Sequence, residues 1–354
     1  MARPALAAAQ FPTLAFSLHP LAFPPVSRLL LLALLVCISA AHAAPSPISR
    51  VVMGPPAFNQ GADFRELFEH PDQWTQTRPL VNEILYADQN FRYFTDQELK
   101  SWFAMMDQWH IRLGLDVGAI KEWGPTADKS LPIGRRYWNR IQSLGGHIHA
   151  MHMDEPLACT RFHIHTSDQS AVEETARFIA GVRKDYPGVL IGDVESYPSI
   201  PLNDHFWWID ALQKRLASMN VRGLDFYELD VNWMNFQIQH TGSWQEVKQL
   251  QNFCHTRQIP FSLIFWPGSY AWFNTIHMAD DNTFYVSVMN QGYEYAAFDP
   301  PAAAGFSNIS PLKGGPDEYV IQSWEPCPSH SVPESADFTL TRLVTDFVKK
   351  FIHP

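Results

Sequence analysis

Cysteine is scarce, with four in 354 residues. Cys37 falls inside a leader-like segment, and the remaining Cys159, Cys254 and Cys327 allow at most one intramolecular bridge in an exported chain, with Cys159 and Cys327 the better pair. Basic charge is also short: 26 Lys and Arg face 36 Asp and Glu, a formal net charge of −10. An acidic surface repels phosphate backbones, so nucleic acid is not an expected partner. Neither a G-x-G-x-x-G nor a G-x-x-x-x-G-K-[ST] turn follows an early strand, which removes the best evidence for a nucleotide cofactor. No G-x-S-x-G elbow is present, and Val51 to Gln60 holds no His-x-His, so serine-hydrolase and amidohydrolase layouts are disfavoured. No cofactor is expected.

Long apolar runs are limited to the start of the chain. Arg28 precedes the run Leu29 to Ala40, which exits through Ala41-His42-Ala43, the pattern of a cleaved secretory signal. A dozen apolar residues are too few to span a hydrocarbon core of ~30 Å, so no membrane attachment is expected once residues 1–43 are removed. The expected mature protein is residues 44–354, secreted or periplasmic. Its 354 − 43 = 311 residues fit one α/β barrel with insertions, and loss of Arg3 and Arg28 takes its formal charge from −10 to −12.

Along that region short apolar runs alternate with polar loops and amphipathic stretches, the signature of successive βαβ units. Eight strands are predicted: Val51 to Phe58, Asn82 to Asp88, Ile111 to Val117, His147 to Asp154, Val189 to Asp193, Gly223 to Asp230, Phe261 to Trp266 and Tyr319 to Trp324. Thr95-Asp96-Gln97-Glu98 has the form of a capping box before a helix from Leu99 to Trp109. Val172, Ala176, Ile179 and Val182 recur at helical spacing within Ser170 to Tyr186, and a last helix spans Leu340 to Ile352. Gly145-Gly146, Pro187-Gly188 and Pro260 punctuate the exits. The expected fold is a single (β/α)₈ TIM barrel. Ala297 to Pro316, rich in Pro, Gly and Ala, is a long loop with either a lid role or none.

In such a barrel the reacting groups lie at the C-terminal ends of the strands. Those ends are acidic here: Asp88, Asp116, Glu122, Asp154, Glu155, Asp193, Glu195, Glu228, Asp230 and Glu325. Crowded carboxyls drive their pKa values apart, so one stays protonated as an acid while its neighbour remains ionised. The apolar approach to Met153-Asp154-Glu155-Pro156 makes Glu155 the first choice for acid/base. A period of two puts Asp193 with Glu195 on one face of strand five, and Glu228 with Asp230 on one face of strand six. Trp123, Tyr197, Trp233, Trp266, Tyr270, Trp272 and Trp324 interleave with the acids, a mixture suited to stacking on pyranose faces while carboxylates bind hydroxyls. For any single one of these rings, simple core filling is an equal reading.

At this level the chain resembles the (β/α)₈ glycoside hydrolases. Asp154-Glu155-Pro156 is similar to the Asn-Glu-Pro that carries the acid/base after strand four in many of them, with Asp154 in the Asn place. Where those enzymes usually bear a Glu nucleophile after strand seven, this chain has Phe265-Trp266-Pro267-Gly268. The resemblance therefore implies hydrolysis of a glycosidic bond in a poly- or oligosaccharide, with Glu155 paired to Asp230, Glu195 or Glu228, in that order. Asp116, Asp154, Asp193, Tyr197, Trp233, Trp266, Trp324 and Glu325 are the expected carbohydrate-binding residues. Two other classes stay open. A metal-dependent sugar isomerase or epimerase would gather His147, His149, His152, His163 and His165 with Glu195, Asp230 and Glu325, although no metal ligand set is assigned. A barrel that binds carbohydrate without cutting it would use the same aromatic and acidic cleft.

Overall fold

The computed structural model describes residues 50–57, 59–266, 280–298 and 314–353. Eight parallel strands close into a barrel in sequence order: β1 Val51–Gly54, β2 Glu83–Ala87, β3 Arg112–Val117, β4 Ile148–Asp154, β5 Leu190–Tyr197, β6 Phe226–Val231, β7 Phe261–Phe265 and β8 Glu318–Gln322. The seam is shut by β1 against β8, from Val51 opposite Tyr319 to Gly54 opposite Gln322. The chain folds as a TIM barrel. Each strand is followed by a helix: α1 Ala62–Glu69, α2 Asp96–Trp109, α3 Ala127–Ser143, α4 Asp168–Asp185, α5 Leu202–Ser218, α6 Trp244–Thr256, α7 Asp281–Ala297 and α8 Leu340–Phe347.

The strand ends shift by up to four residues from expectation, most at β1 and β5, and β6 begins three residues late at Phe226. β1 stops at Gly54, and β5 runs four residues beyond Asp193 to Tyr197. Residues 1–43, Tyr270, Trp272 and most of the Ala297 to Pro316 loop lie outside the described residues. Among the described residues no helix is long and apolar enough to cross a membrane.

The helix starts follow local chemistry. Thr95 and Glu98 form the capping box, with the Glu98 amide 3.2 Å from Thr95 Oγ1 and the Thr95 amide 2.7 Å from Glu98 Oε2. Ser167 and Ser243 cap α4 and α6 with one bond each, accepting from the Ser170 and Glu246 amides. The main apolar core lies between the barrel and its helices, where Trp74, Trp138, Trp208, Tyr227, Phe178 and Phe265 are fully buried. Inside the barrel the apolar layers are small: Ala150, Leu190 and Phe226 form one, and Val52, Leu85, Val194, Ile264 and Val320 belong to another. Gly192 faces the Phe226 ring so closely that a β-carbon there would overlap it.

Cys159, Cys254 and Cys327 are buried thiols, so the bridge anticipated between Cys159 and Cys327 is not formed. Cys159 Sγ lies 3.8 Å from Glu122 Oε2, and the Asp281 carboxylate stands beside Cys327. Strands four and eight are on opposite sides of the barrel, which keeps these loops apart.

Candidate functional site

A cavity of about 950 Å³ opens at the C-terminal ends of the strands. Its acidic wall is Asp116 from β3, Asp154 and Glu155 from the end of β4, Glu228 and Asp230 from β6, and Glu325 after β8. Lys121 reaches in from the loop after β3, and its Nζ lies 2.5 Å from Asp154 Oδ2. On the far side Trp266 and Trp324 pack with ring centroids 4.1 Å apart.

Glu155 occupies an unusual backbone position. Its φ and ψ of 48° and 54° are left-handed, a region that a β-carbon makes unfavourable. Both of its backbone polar groups are tied down: its N–H donates to Val194 O at 3.0 Å, and its carbonyl accepts from Cys159 N at 2.8 Å. Surrounding structure therefore holds the strained conformation, as is common where a side chain must be aimed.

Burial raises the pKa of three of these carboxyls, Glu155, Asp230 and Asp116. For Glu155 it is the largest influence, reinforced by Asp154 and opposed by Lys121 and the Ser196 hydroxyl. Asp230 is pushed well above the usual carboxylate range by burial and then by the charge of Glu155. Asp116 is raised by burial and Asp154, with Lys121 opposing. Burial disfavours the charged form of Lys121, yet Asp154 and Glu155 more than offset it. Asp230 Oδ1 and the Trp266 indole nitrogen are both buried, and the indole lies close enough to Asp230 to oppose the rise in its pKa.

Several expected site residues lie elsewhere. Asp193 and Glu195 share a face of β5, as their spacing requires, but it is the outer face. Asp193 accepts from the Trp208 indole of α5 at 2.6 Å, and burial pushes its pKa up to about 8. Glu195 accepts the backbone N–H groups of Leu157 and Ala158 at 2.5 and 3.1 Å, holding the short helix Pro156–Cys159 that begins beside Glu155. Glu195 thus positions the loop rather than facing the cavity. Tyr197 points outward too, donating to Glu246 and accepting from Ser243 N. The Trp233 indole donates to Glu294 at 2.8 Å. The inner face of β5 belongs instead to Val194 and Ser196. Asp88 accepts from the Trp138 indole at 2.8 Å, and Glu122 is an exposed partner of His163 at 3.1 Å.

Beneath the carboxyl wall lies a polar layer in which Glu228 and His152, already candidates from the sequence, meet Glu83 and Glu318, which sequence inspection misses. Glu83, His152, Glu228 and Glu318 come one each from β2, β4, β6 and β8, the alternate-strand pattern of barrel interiors, and none is more than 2% exposed. His152 Nδ1 is 2.9 Å from Glu228 Oε2 and Nε2 is 3.2 Å from Glu83 Oε1. Ser262 Oγ donates to Glu228 Oε2 at 2.9 Å. Gly114 makes room for the Glu83 carboxyl, since a β-carbon there would collide with Oε1. Burial opposes charge on His152, but Glu228 and Glu83 outweigh it and raise its pKa. Of the other histidines, His163 lines the cavity with Glu155 beside Glu122, and the rest of the set expected for a metal-dependent layout does not join it there. His149 sits toward the strand starts, 3.2 Å from Arg112, and His165 is exposed against Arg161 O.

Neither a family model nor a curated protein matches the chain. Among solved structures it is similar to a xylanase from Cellvibrio japonicus in complex with xylopentaose, at 10% identity and a TM-score of 0.47 over 86% of this chain and 68% of that one. It is also similar to a D-psicose 3-epimerase in the presence of D-fructose, at 9% identity and 0.43 over 86% and 100%. A third is the carboxyl transferase domain of Rhizobium etli pyruvate carboxylase, at 9% identity and 0.45 over 84% and 46%. These barrels differ in the chemistry their names describe, so the functional reading rests on the side chains of the cavity.

Proposed function

We propose that the chain is an exported glycoside hydrolase that cleaves a poly- or oligosaccharide, with Glu155 and Asp230 as the reacting pair. The observation that carries this reading is that both carboxyls face one cavity, Glu155 from the end of β4 and Asp230 from β6 on the other side of β5, and that the charge of Glu155 adds to burial in raising the pKa of Asp230. Carboxyls coupled in this way hold one proton between them, and their titration belongs to the pair. In the reacting arrangement the shared proton passes from Asp230 to Glu155, which gives it to the glycosidic oxygen. Asp230, then ionised, supplies the negative charge that stabilises the oxocarbenium-like sugar, which a water molecule captures as it gives a proton back to Glu155. Asp116, Asp154 and Glu325 accept hydrogen bonds from sugar hydroxyls, and Trp266 with Trp324 offers an apolar platform.

The test is a screen of the protein on bacterial and plant polysaccharides, followed by two variants. Glu155→Gln should lose at least ~10²-fold in turnover on a substrate with a poor leaving group, and far less on an activated aryl glycoside, which needs no protonation. Asp230→Asn should lose turnover on both. Wild-type rates in both variants would overturn the reading.

A further inference from the structure

We propose that His152, Glu228 and Glu318 form a binding site for one divalent first-row cation, manganese or zinc, at the floor of the cavity. The three offer one nitrogen and two carboxylate oxygens from β4, β6 and β8, all within 4.8 Å of one another. Ligands on such an ion at bonds of ~2.1 Å stand about 3 to 4 Å apart, so small rotations of the side chains close the set.

Two features mark the cluster as more than a group of acids. Glu228 Oε1 and Glu318 Oε1 are both buried without any hydrogen-bond partner, in side chains at 0% and 2% exposure. A buried carboxylate oxygen left unpaired is costly, and a cation satisfies both at once. The surrounding groups are also those a metal site needs. A histidine ligand is normally held by a carboxylate on its other ring nitrogen, and Glu83 stands 3.2 Å from Nε2 while Nδ1 faces the cluster. Ser262 fixes the second oxygen of Glu228 in the same manner.

Charge points the same way. Three carboxylates share this layer with one imidazole, and the compensation near Glu83 comes from the strand starts, where His149 Nε2 lies 3.9 Å from its Oε2 with Arg112 beyond. Glu228 and Glu318 are left with His152. A cation binds His152 and both acids in their deprotonated forms and releases any protons they hold. His152 and Glu228 also line the cavity, which leaves the open side of the ion toward a bound substrate's oxygens. The assignment goes beyond the glycosidic reading and stands without it.

The experiment strips the purified protein with a chelator, re-equilibrates it with Mn²⁺ or Zn²⁺ at neutral pH, removes free ion by gel filtration and measures retained metal by elemental analysis. One equivalent per chain is expected, with a rise in melting temperature on adding the ion. Glu318→Gln should weaken binding at least ~100-fold, and Glu83→Gln by roughly 10- to 100-fold, the effect of losing the group that orients a ligand. A stripped wild type that is folded by circular dichroism yet takes up neither ion overturns the site. Uptake unchanged in a folded Glu318→Gln variant does the same. Wild-type uptake does not depend on whether any variant folds, and neither measurement involves turnover, so its failure is separable from that of Glu155 and Asp230.

Discussion

Replacing Glu155 with glycine should stabilise the fold relative to alanine while both variants lose turnover. The left-handed backbone at φ 48° and ψ 54° costs a residue with a β-carbon about 1–2 kcal/mol. Alanine keeps that cost and removes only the carboxyl; glycine removes both. The difference between them isolates the backbone, because the lost carboxyl is common to the two. Glycine's looser unfolded chain gives back part of the gain, ordinarily ~0.5–1 kcal/mol in favour of alanine, so the net preference for glycine is about 1 kcal/mol. At ~2.1 cal/mol/K per residue over roughly 300 residues, the entropy of unfolding is ~0.6 kcal/mol/K, which turns that preference into a melting-temperature difference near 1.5–2 °C. Scanning calorimetry at one pH and scan rate resolves it. An alanine variant as stable as the glycine variant, or more so, would refute the claim that position 155 is held under strain.

Two further outcomes follow from the fold. Burial pushes the Asp88 carboxyl from 3.8 to about 7, against the Trp138 hydrogen bond. The folded state therefore binds this proton more tightly, and the associated stability is present in acid and falls as pH rises from about 4 to 7. At 1.36 kcal/mol per unit the full loss is on the order of 4 kcal/mol, so Asp88→Asn, which keeps an acceptor for the indole, should gain stability over wild type at pH ~8 and little at pH ~4. Urea unfolding at both values checks it, and an equal gain at both would contradict the burial argument. Gly192→Ala should destabilise by about 1–3 kcal/mol in chemical denaturation, since its β-carbon must displace the Phe226 ring inside the barrel; a neutral result would mean that the interior is loosely packed.

Much of the architecture was legible because it is written locally. Apolar runs of four to eight residues, glycine and proline stops and the Thr95 to Glu98 box each specify their own segment, and the described structure follows them with shifts of a few residues. The strand-end rule likewise picked out Asp116, Asp154, Glu155, Asp230, Glu325, Trp266 and Trp324, all of which line the cavity. It went astray at Asp193, Glu195, Tyr197 and Trp233 for one reason. A period of two says which residues share a face, but not which face is inside, and in a parallel strand covered by helices both faces are buried. Trp208, Glu246 and Glu294, the partners that draw these side chains outward, sit on helices whose docking no strand pattern reveals. Glu83 and Glu318 carried no signal, since each is a lone acid at the start of an apolar run and acquires meaning only when its counterparts meet it. Lys121 was not among the residues singled out from the sequence, and its pairing with Asp154 is what brings it into the site.

The ring formed by Glu83, His152, Glu228 and Glu318 has a kinetic consequence. Its members are contributed by the second, fourth, sixth and eighth strands, so no contiguous fragment short of nearly the whole cylinder can assemble it. Until the last strand docks on the first, a partly folded chain presents ionisable groups to water, where they are well solvated. Dehydrating them and sealing the wall are then one event, and the rate of that final step should respond to protons or cations in solution, whereas the formation of individual βα units should not.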